Sequence, residues 1–191
     1  MNSDKEKLLL HVCCAPCSIY AINQLRENFD LMVYFFNPNI FPEGEYLQRQ
    51  SEIKKFCQSA KIAYYEEDYE PQSWLNFIKG YESEPEKGSR CDLCFLLRLN
   101  KTAEFAKAND FDWFSTTLTM GRQKKSLQVL NAGRKAESKY RIRFFDQDFK
   151  KNFGVQISDW LAKRLGLYKQ DYCGCVFSRR TEPQNFCTKI H

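Results

Sequence analysis

Thiols are the residues in this chain best placed to do chemistry. Cys13 and Cys14 are adjacent in HVCCAPCS, and Cys17 follows them. Cys91 and Cys94 form a C-x-x-C in SRCDLCF, and Cys173 and Cys175 form a C-x-C in YCGCVFS. Thiols at such spacings converge on a metal or on each other. The nine cysteines are an odd number, so they cannot all be paired. The leading MNSDKEKLLL is charged and is not read as a signal peptide. The longest apolar run, LMVYFF, falls far short of the roughly 20 residues of a membrane helix. The chain is therefore expected in the cytoplasm, where structural disulfides are disfavoured and metal binding or catalysis is the better use of the thiols.

Four thiolates complete the ligand set of a [4Fe–4S] cluster or of a structural zinc. Zinc would take Cys14 and Cys17 with Cys91 and Cys94 as two knuckles, although a vicinal pair such as Cys13–Cys14 is unusual there. Buried apolar cysteine is the third reading. His11 lies within an apolar run and reads as a hydrogen-bonded core group before a ligand; His191 is terminal. Asp92, inside the C-x-x-C, is a candidate ligand or proton donor and equally a candidate helix N-cap. Cys173-Gly174-Cys175 is too tight for a relaxed disulfide, and glycine is the residue that permits the required backbone. Such a pair has an oxidising potential and suits an electron relay, with metal ligation or inert thiols as the competing uses. Cys57 reads as core and Cys187 as a free thiol.

These residues must be positioned by a scaffold, and the chain reads as a single domain over residues 1–191. Hydrophobic residues make up 43% and aromatics 15%, enough to fill a core. Strands are expected at Lys7–Val12, Leu31–Phe36, Ile62–Tyr65, Trp113–Leu118 and Ile142–Phe145. Helices are expected at Ser18–Glu27, Glu45–Ala60, Pro71–Lys79, Phe95–Ala108, Lys125–Tyr140 and Val155–Leu165. A loop over Gly80–Ser89 would deliver the C-x-x-C. Alternating strands and helices imply an α/β fold with a mostly parallel sheet flanked by helices. Sites in such sheets lie beyond the carboxyl ends of the strands, where CCAPC falls. Backbone N–H groups at the following helix start would favour thiolates there.

The net charge is +5, with 29 Lys and Arg against 24 Asp and Glu. Arg122, Lys124, Lys125, Arg134, Lys135, Lys139, Arg141, Arg143, Arg179 and Arg180 concentrate in the second half, with Tyr140, Tyr168 and Tyr172 interleaved. Basic residues beside aromatics suit single-stranded RNA loops; a solvated helix face is the plainer account.

The segments LLLHVCCAPCS, FFNPNIFPEGEYLQR, RCDLCFLLRLNKTAEFA, FSTTLTMGRQKK, FFDQDFKKNFG and YKQDYCGCVFS, over about residues 8–178, together resemble the QueH family of cobalamin-independent epoxyqueuosine reductases. The stretch TMGRQKK departs from the Ser-Pro-His-Lys-like pattern of that family. The resemblance implies reduction of epoxyqueuosine to queuosine at the wobble position of tRNA. It implies a fold related to the adenine-nucleotide hydrolase type, with CCAPCS in place of that type's phosphate loop, so ATP use is not expected. It implies Cys13, Cys14, Cys91 and Cys94 as ligands of a [4Fe–4S] cluster, Cys173 and Cys175 as a redox-active pair, and Cys17 as a ligand to the cluster or to an additional iron. Other partners are tRNA and an electron donor that the sequence does not identify; no membrane is expected. A metal-independent thiol–disulfide oxidoreductase and a zinc-stabilised RNA-binding module are the alternatives.

Overall fold

A computed structural model describes residues 5–179. Arg180, Cys187 and His191 lie outside the described residues. Five strands form one wholly parallel sheet in the order β3-β2-β1-β4-β5. They are β1 (Lys7–Val12), β2 (Asp30–Phe35), β3 (Ala63–Glu66), β4 (Trp113–Thr116) and β5 (Arg143–Phe144). The helices are α1 (Ile19–Leu25), α2 (Glu43–Ala60), α3 (Pro71–Phe77), α4 (Ser89–Ala108), α5 (Ser126–Tyr140) and α6 (Gly154–Arg164).

The period of two along β1 divides the core. Leu8, Leu10 and Val12 face the layer of α1 and α2, while Leu9 faces α4 and α5 with Phe95, Leu99, Phe114 and Val129. Leu8, Leu9 and Leu10 are all fully buried, as a strand covered on both faces requires. No helix among the described residues is long and apolar enough to cross a membrane.

Three expectations need correction. The fourth strand stops at Thr116, and Thr117–Met120 form a 3₁₀ turn in which Thr116 Oγ1 accepts from the Leu118 N–H at 3.1 Å. That threonine side chain offers the backbone a local bond and ends the strand. The helix expected from Phe95 starts at Ser89, so the C-x-x-C occupies its first turn instead of a loop. Its N-cap is Gly88, with no side-chain bond, so Asp92 does not cap it.

The sheet begins in the middle, with β2 and β3 laid down to one side and β4 and β5 to the other. The connections leaving β1 and β4 therefore diverge, and a crevice opens beyond their carboxyl ends. The loop Cys13–Ser18 leaves β1 there, and Thr117–Lys125 leaves β4 opposite it. Ser18 Oγ joins the two loops, donating to Cys14 O at 2.7 Å and lying 3.2 Å from Thr117 Oγ1.

Candidate metal centre and cavity

Cys13 and Cys14 are buried, their sulfurs 3.8 Å apart, and Cys17 closes the group as a third hydrogen-bonded thiol. Gln170 Nε2 donates to Cys14 Sγ at 3.1 Å. Hydrogen bonds from Cys14 and then Cys17 hold Cys13 well below the ordinary thiol pKa, with help from Lys124 and Arg98. Its two neighbours go the other way, Cys14 to about 12, because one anion among three thiols makes a second costly. The depression comes from thiols and cations, and the backbone amides expected to supply it belong to a seven-residue helix that starts only at Ile19.

A second group gathers at the start of α4. Cys91 and Cys94 lie within electrostatic reach of Cys173, and Cys175 of both Cys173 and Cys94. Burial raises Cys91 to about 11, against a 3.3 Å bond from the Lys87 N–H, and raises Cys175 to about 12. Cys94 and Cys175 share a small apolar cluster with Trp74 and Ile78, while Cys91 packs against the cluster that contains Cys13 and Cys14. Cys173 and Cys175 are free thiols, and Gly174 between them sits at φ +120°. A side chain at Gly174 would also meet Arg49 Nη1 at 3.0 Å. Cys57 is fully buried in the core.

The segment carrying Cys173 and Cys175 is drawn over the site by bonds to the β2–α2 connection and to α2. Phe41 N–H donates to Gly174 O at 2.8 Å, and Tyr172 Oη to Phe41 O at 2.6 Å. Tyr168 Oη donates to Glu45 at 2.9 Å, and the Tyr168 N–H to Glu52 at 2.7 Å.

Four buried cations surround the thiols. Arg90, within electrostatic reach of Cys91 and Cys175, donates to the carbonyls of Tyr81 and Glu82 and leaves Nε without a partner. Arg49 pairs with Glu45 at 2.6 Å and donates to Cys173 O at 3.2 Å, leaving Nη2 without a partner. Arg98 donates to Asn37 Oδ1, leaving Nε without one. Lys124 is 8% exposed, and its ammonium makes no ion pair or hydrogen bond among the described residues. Burial alone would lower the Lys124 pKa, yet Cys173, Cys13 and Cys17 outweigh it and hold the ammonium above its usual value. Uncompensated buried charge costs several kcal/mol per ion. One carboxylate for four cations leaves thiolates, or an anionic group held by thiolates, to supply the balance. That donor chemistry fits a thiolate-ligated cluster. Among the described residues, no three Cys, His, Asp or Glu side chains converge at the spacing of a single metal ion.

His11 is fully buried, with Nδ1 3.0 Å from Thr116 Oγ1 and Nε2 3.0 Å from Phe36 O. The carbonyl fixes Nε2 as the donor, so the hydroxyl donates to Nδ1. Burial, then Arg98, lowers its pKa to about 3 and keeps it neutral. It joins β1 to the ends of β2 and β4.

A cavity of about 430 Å³ opens beside the first thiol group. Cys17, Lys124, Ser158, Gln170, Tyr172 and Cys173 are among its lining residues. The loop TMGRQKK supplies Met120, Gly121, Arg122, Gln123 and Lys124 to the same wall. Asp92 is exposed and is not part of that lining.

The basic second half does not act as one patch. Arg134 pairs with Asp146, and Arg143 with Glu6 and Asp112 on the β1–β4–β5 edge. Lys124 is not on a solvated face at all. Arg49, Arg98 and Lys124 are among the site residues that motif reading misses. A signal for two of them exists: Arg49 falls on the buried stripe Tyr46, Ile53 and Cys57, and Arg98 on Cys94, Phe95, Leu99 and Thr102.

The family model for the epoxyqueuosine reductase QueH matches residues 8–181. A relative of that name from Acinetobacter baylyi is 41% identical over 182 residues, covering 94% of this chain and 84% of its own. One from Histophilus somni is 40% identical, covering 91% and 72%, and one from Thermotoga maritima is 37% identical, covering 90% and 89%. Among solved structures, the U34-tRNA thiolase NcsA from Methanococcus maripaludis, with its [4Fe-4S] cluster, aligns at a TM-score of 0.55 and 14% identity. That alignment covers 87% of this chain and 58% of the thiolase. A predicted tRNA methyltransferase subunit from Methanocaldococcus jannaschii aligns at 0.53 and 10%, covering 87% and 94%. Both share the adenine-nucleotide-hydrolase-like fold. The thiol groups and the flanking segments match the family across nearly the whole chain, and the chain belongs to the QueH family of epoxyqueuosine reductases.

Proposed function

We propose that this epoxyqueuosine reductase acts in the cytoplasm on tRNA carrying epoxyqueuosine at the wobble position, with a [4Fe–4S] cluster held by Cys13, Cys14, Cys91 and Cys94. The observation that carries the cluster is the set of buried cations, Arg49, Arg90, Arg98 and Lys124, around thiols with too few carboxylates to balance them. The solved thiolase of like fold, which carries such a cluster, lends support.

Reduction of an epoxide to an alkene breaks two C–O bonds, forms one C=C bond, takes up two electrons and two protons, and releases water. A thiolate-bound cluster supplies electrons singly. Cys173 and Cys175 meet the remaining need as a relay: closing a disulfide between them releases two electrons and two protons, the amounts one epoxide consumes. An electron donor then restores the dithiol. Cys17, at the cavity wall, would be a further ligand to the cluster or to an additional iron. Lys124 places positive charge on the same wall, where negative charge develops on the departing oxygen. Burial among Cys13, Cys17 and Cys173 keeps that ammonium in place without reorganisation. Asp92, exposed and outside the cavity, supports no part of this reading beyond its position in the C-x-x-C.

The test is anaerobic purification, iron and sulfide analysis with electron paramagnetic resonance, and turnover on an anticodon stem-loop carrying epoxyqueuosine. A brown, iron- and sulfide-containing protein that makes queuosine is expected. A colourless, iron-free protein with full turnover refutes the cluster, and an iron-loaded protein inert toward the modified RNA refutes the substrate.

A further inference from the structure

The chain around the start of α6 is built in a way that stability does not account for. Asn152 and Phe153 both adopt left-handed backbone, at φ 54° and 60°. For a phenylalanine this is an outlier that costs free energy. Its ring gains no burial in return, since Phe153 is 73% exposed. Ile157 and Trp160 follow at helical spacing and are also exposed, Trp160 at 58%. Arg164 lies 5.3 Å from the centre of the Trp160 ring, so a guanidinium and an indole offer adjoining flat faces.

The strip and the cavity share α6 but not a face: Val155, Ser158 and Asp159 line the cavity from the side of the helix turned about half a revolution away from Phe153, Ile157 and Trp160. Lys150, three residues before Phe153, donates at 2.6 Å to the carbonyl of the cavity residue Lys124. The charge around the strip is predominantly positive, with Asp148 beside Lys150 as a nearby exception. Lys150 and Lys151 precede it, and Lys163 and Arg164 end the helix. Asp159, the one acidic residue of α6, is neutralised by Arg122 and by Lys169 at 2.5 Å.

We propose that Phe153 and Trp160 form a stacking platform for unpaired RNA bases, with Lys151, Lys163 and Arg164 taking the adjoining phosphates. The inference rests on the reading that the substrate is an anticodon loop, and it assigns the outer face of α6, across the helix from the cavity wall, to loop nucleotides flanking the modified base. Exposed aromatics among lysines and arginines match single-stranded RNA, whose bases stack and whose backbone is anionic. A second copy of this chain would instead bring the same cations face to face across a symmetric contact.

The experiment measures fluorescence anisotropy of a labelled anticodon stem-loop carrying epoxyqueuosine against the full-length protein, alongside its turnover. Phe153→Asn keeps a residue type that accepts left-handed backbone and removes the ring; Trp160→Ala removes the indole. Each is expected to weaken RNA binding roughly 5- to 150-fold, the alanine-scan range for one stacked base. Phe153→Tyr should restore it. The salt dependence of binding should stay unchanged in the aromatic variants and become shallower in Lys151→Ala and Lys163→Ala. Affinity within twofold of the unaltered protein in both aromatic variants, with unchanged unfolding temperatures, overturns the platform. A dimer that Trp160→Ala dissociates without loss of RNA affinity assigns the strip to a second copy and equally overturns it. If the unaltered protein turns over no epoxyqueuosine RNA, the proposed substrate fails instead, a result read on a different sample.

Discussion

Replacing Gly154 by alanine tests whether α6 is seated as tightly as the cavity wall requires. A Cβ built at Gly154 falls 1.9 Å from Phe149 O and 2.9 Å from a ring carbon of Tyr20. Ordinary carbon–oxygen contacts lie at about 3.3–3.6 Å, so the helix start and the Phe149 carbonyl must separate by about 1.5 Å. Overpacking costs about 1–3 kcal/mol, and a backbone oxygen and a buried ring carbon both in conflict place this site near the upper end. Alanine's better helix propensity, about 1 kcal/mol in a helix interior, returns at most that much at this first helical residue, leaving a net loss of about 2 kcal/mol or more. For a domain of this size that corresponds to a fall of about 4–8 °C in the unfolding midpoint. The displacement should also strain the bond from Ser158 Oγ to Pro16 O, which ties α6 to the thiol loop, and raise KM for the RNA. Gly44→Ala is the control: nothing lies within 4 Å of its built Cβ, and it should leave the midpoint unchanged or raise it. Circular dichroism melts of both variants, followed by steady-state kinetics, give the answer. A Gly154→Ala midpoint within about 1 °C of the unaltered protein would refute the reasoning.

Other substitutions separate the roles of the thiols and cations. Cys91→Ser or Cys94→Ser should diminish bound iron and abolish turnover, and full iron and activity in either would remove that residue from the site. Cys175→Ser should retain iron but lose multiple turnover, since a lone thiol cannot store two electrons; lost iron would make it a ligand, and full turnover would make it inert. Lys124→Met leaves the buried thiols short of one cation, so iron content per chain should fall along with turnover; equal loading and activity would show that Arg49, Arg90 and Arg98 suffice. Arg134→Ala and Arg143→Ala remove exposed ion pairs worth about 0–1 kcal/mol each. Both should leave RNA affinity within about twofold, and a larger loss would restore them to the RNA surface.

Periodicity and turn chemistry were enough to read the sheet, because β1 is continuously apolar and each helix carries a clear stripe. Boundaries moved where local bonds compete with pattern. Thr116 closes its own strand, and Ser89–Asp92 continue α4 backwards through residues that look like loop. The thiol groups were legible from spacing. The cations were not, because composition treats Lys124 as one more member of a basic run. Only the fold turns it inward, onto the wall between the loops after β1 and β4. Phe153 was equally silent: a phenylalanine reads as core until its backbone angle and exposure are known.

The order of the strands also sets a timetable. The first thiols follow the first strand, whereas Gln170, which bonds to Cys14, comes 156 residues later. At about 5–20 residues per second, a ribosome exposes Cys13 and Cys14 roughly 8–30 s before the segment that covers them has been made. Throughout that interval Cys13 and Cys14 lack the segment that later covers them. The second thiol group likewise needs Cys173 and Cys175, so the complete site can assemble only once the chain has been made past residue 175.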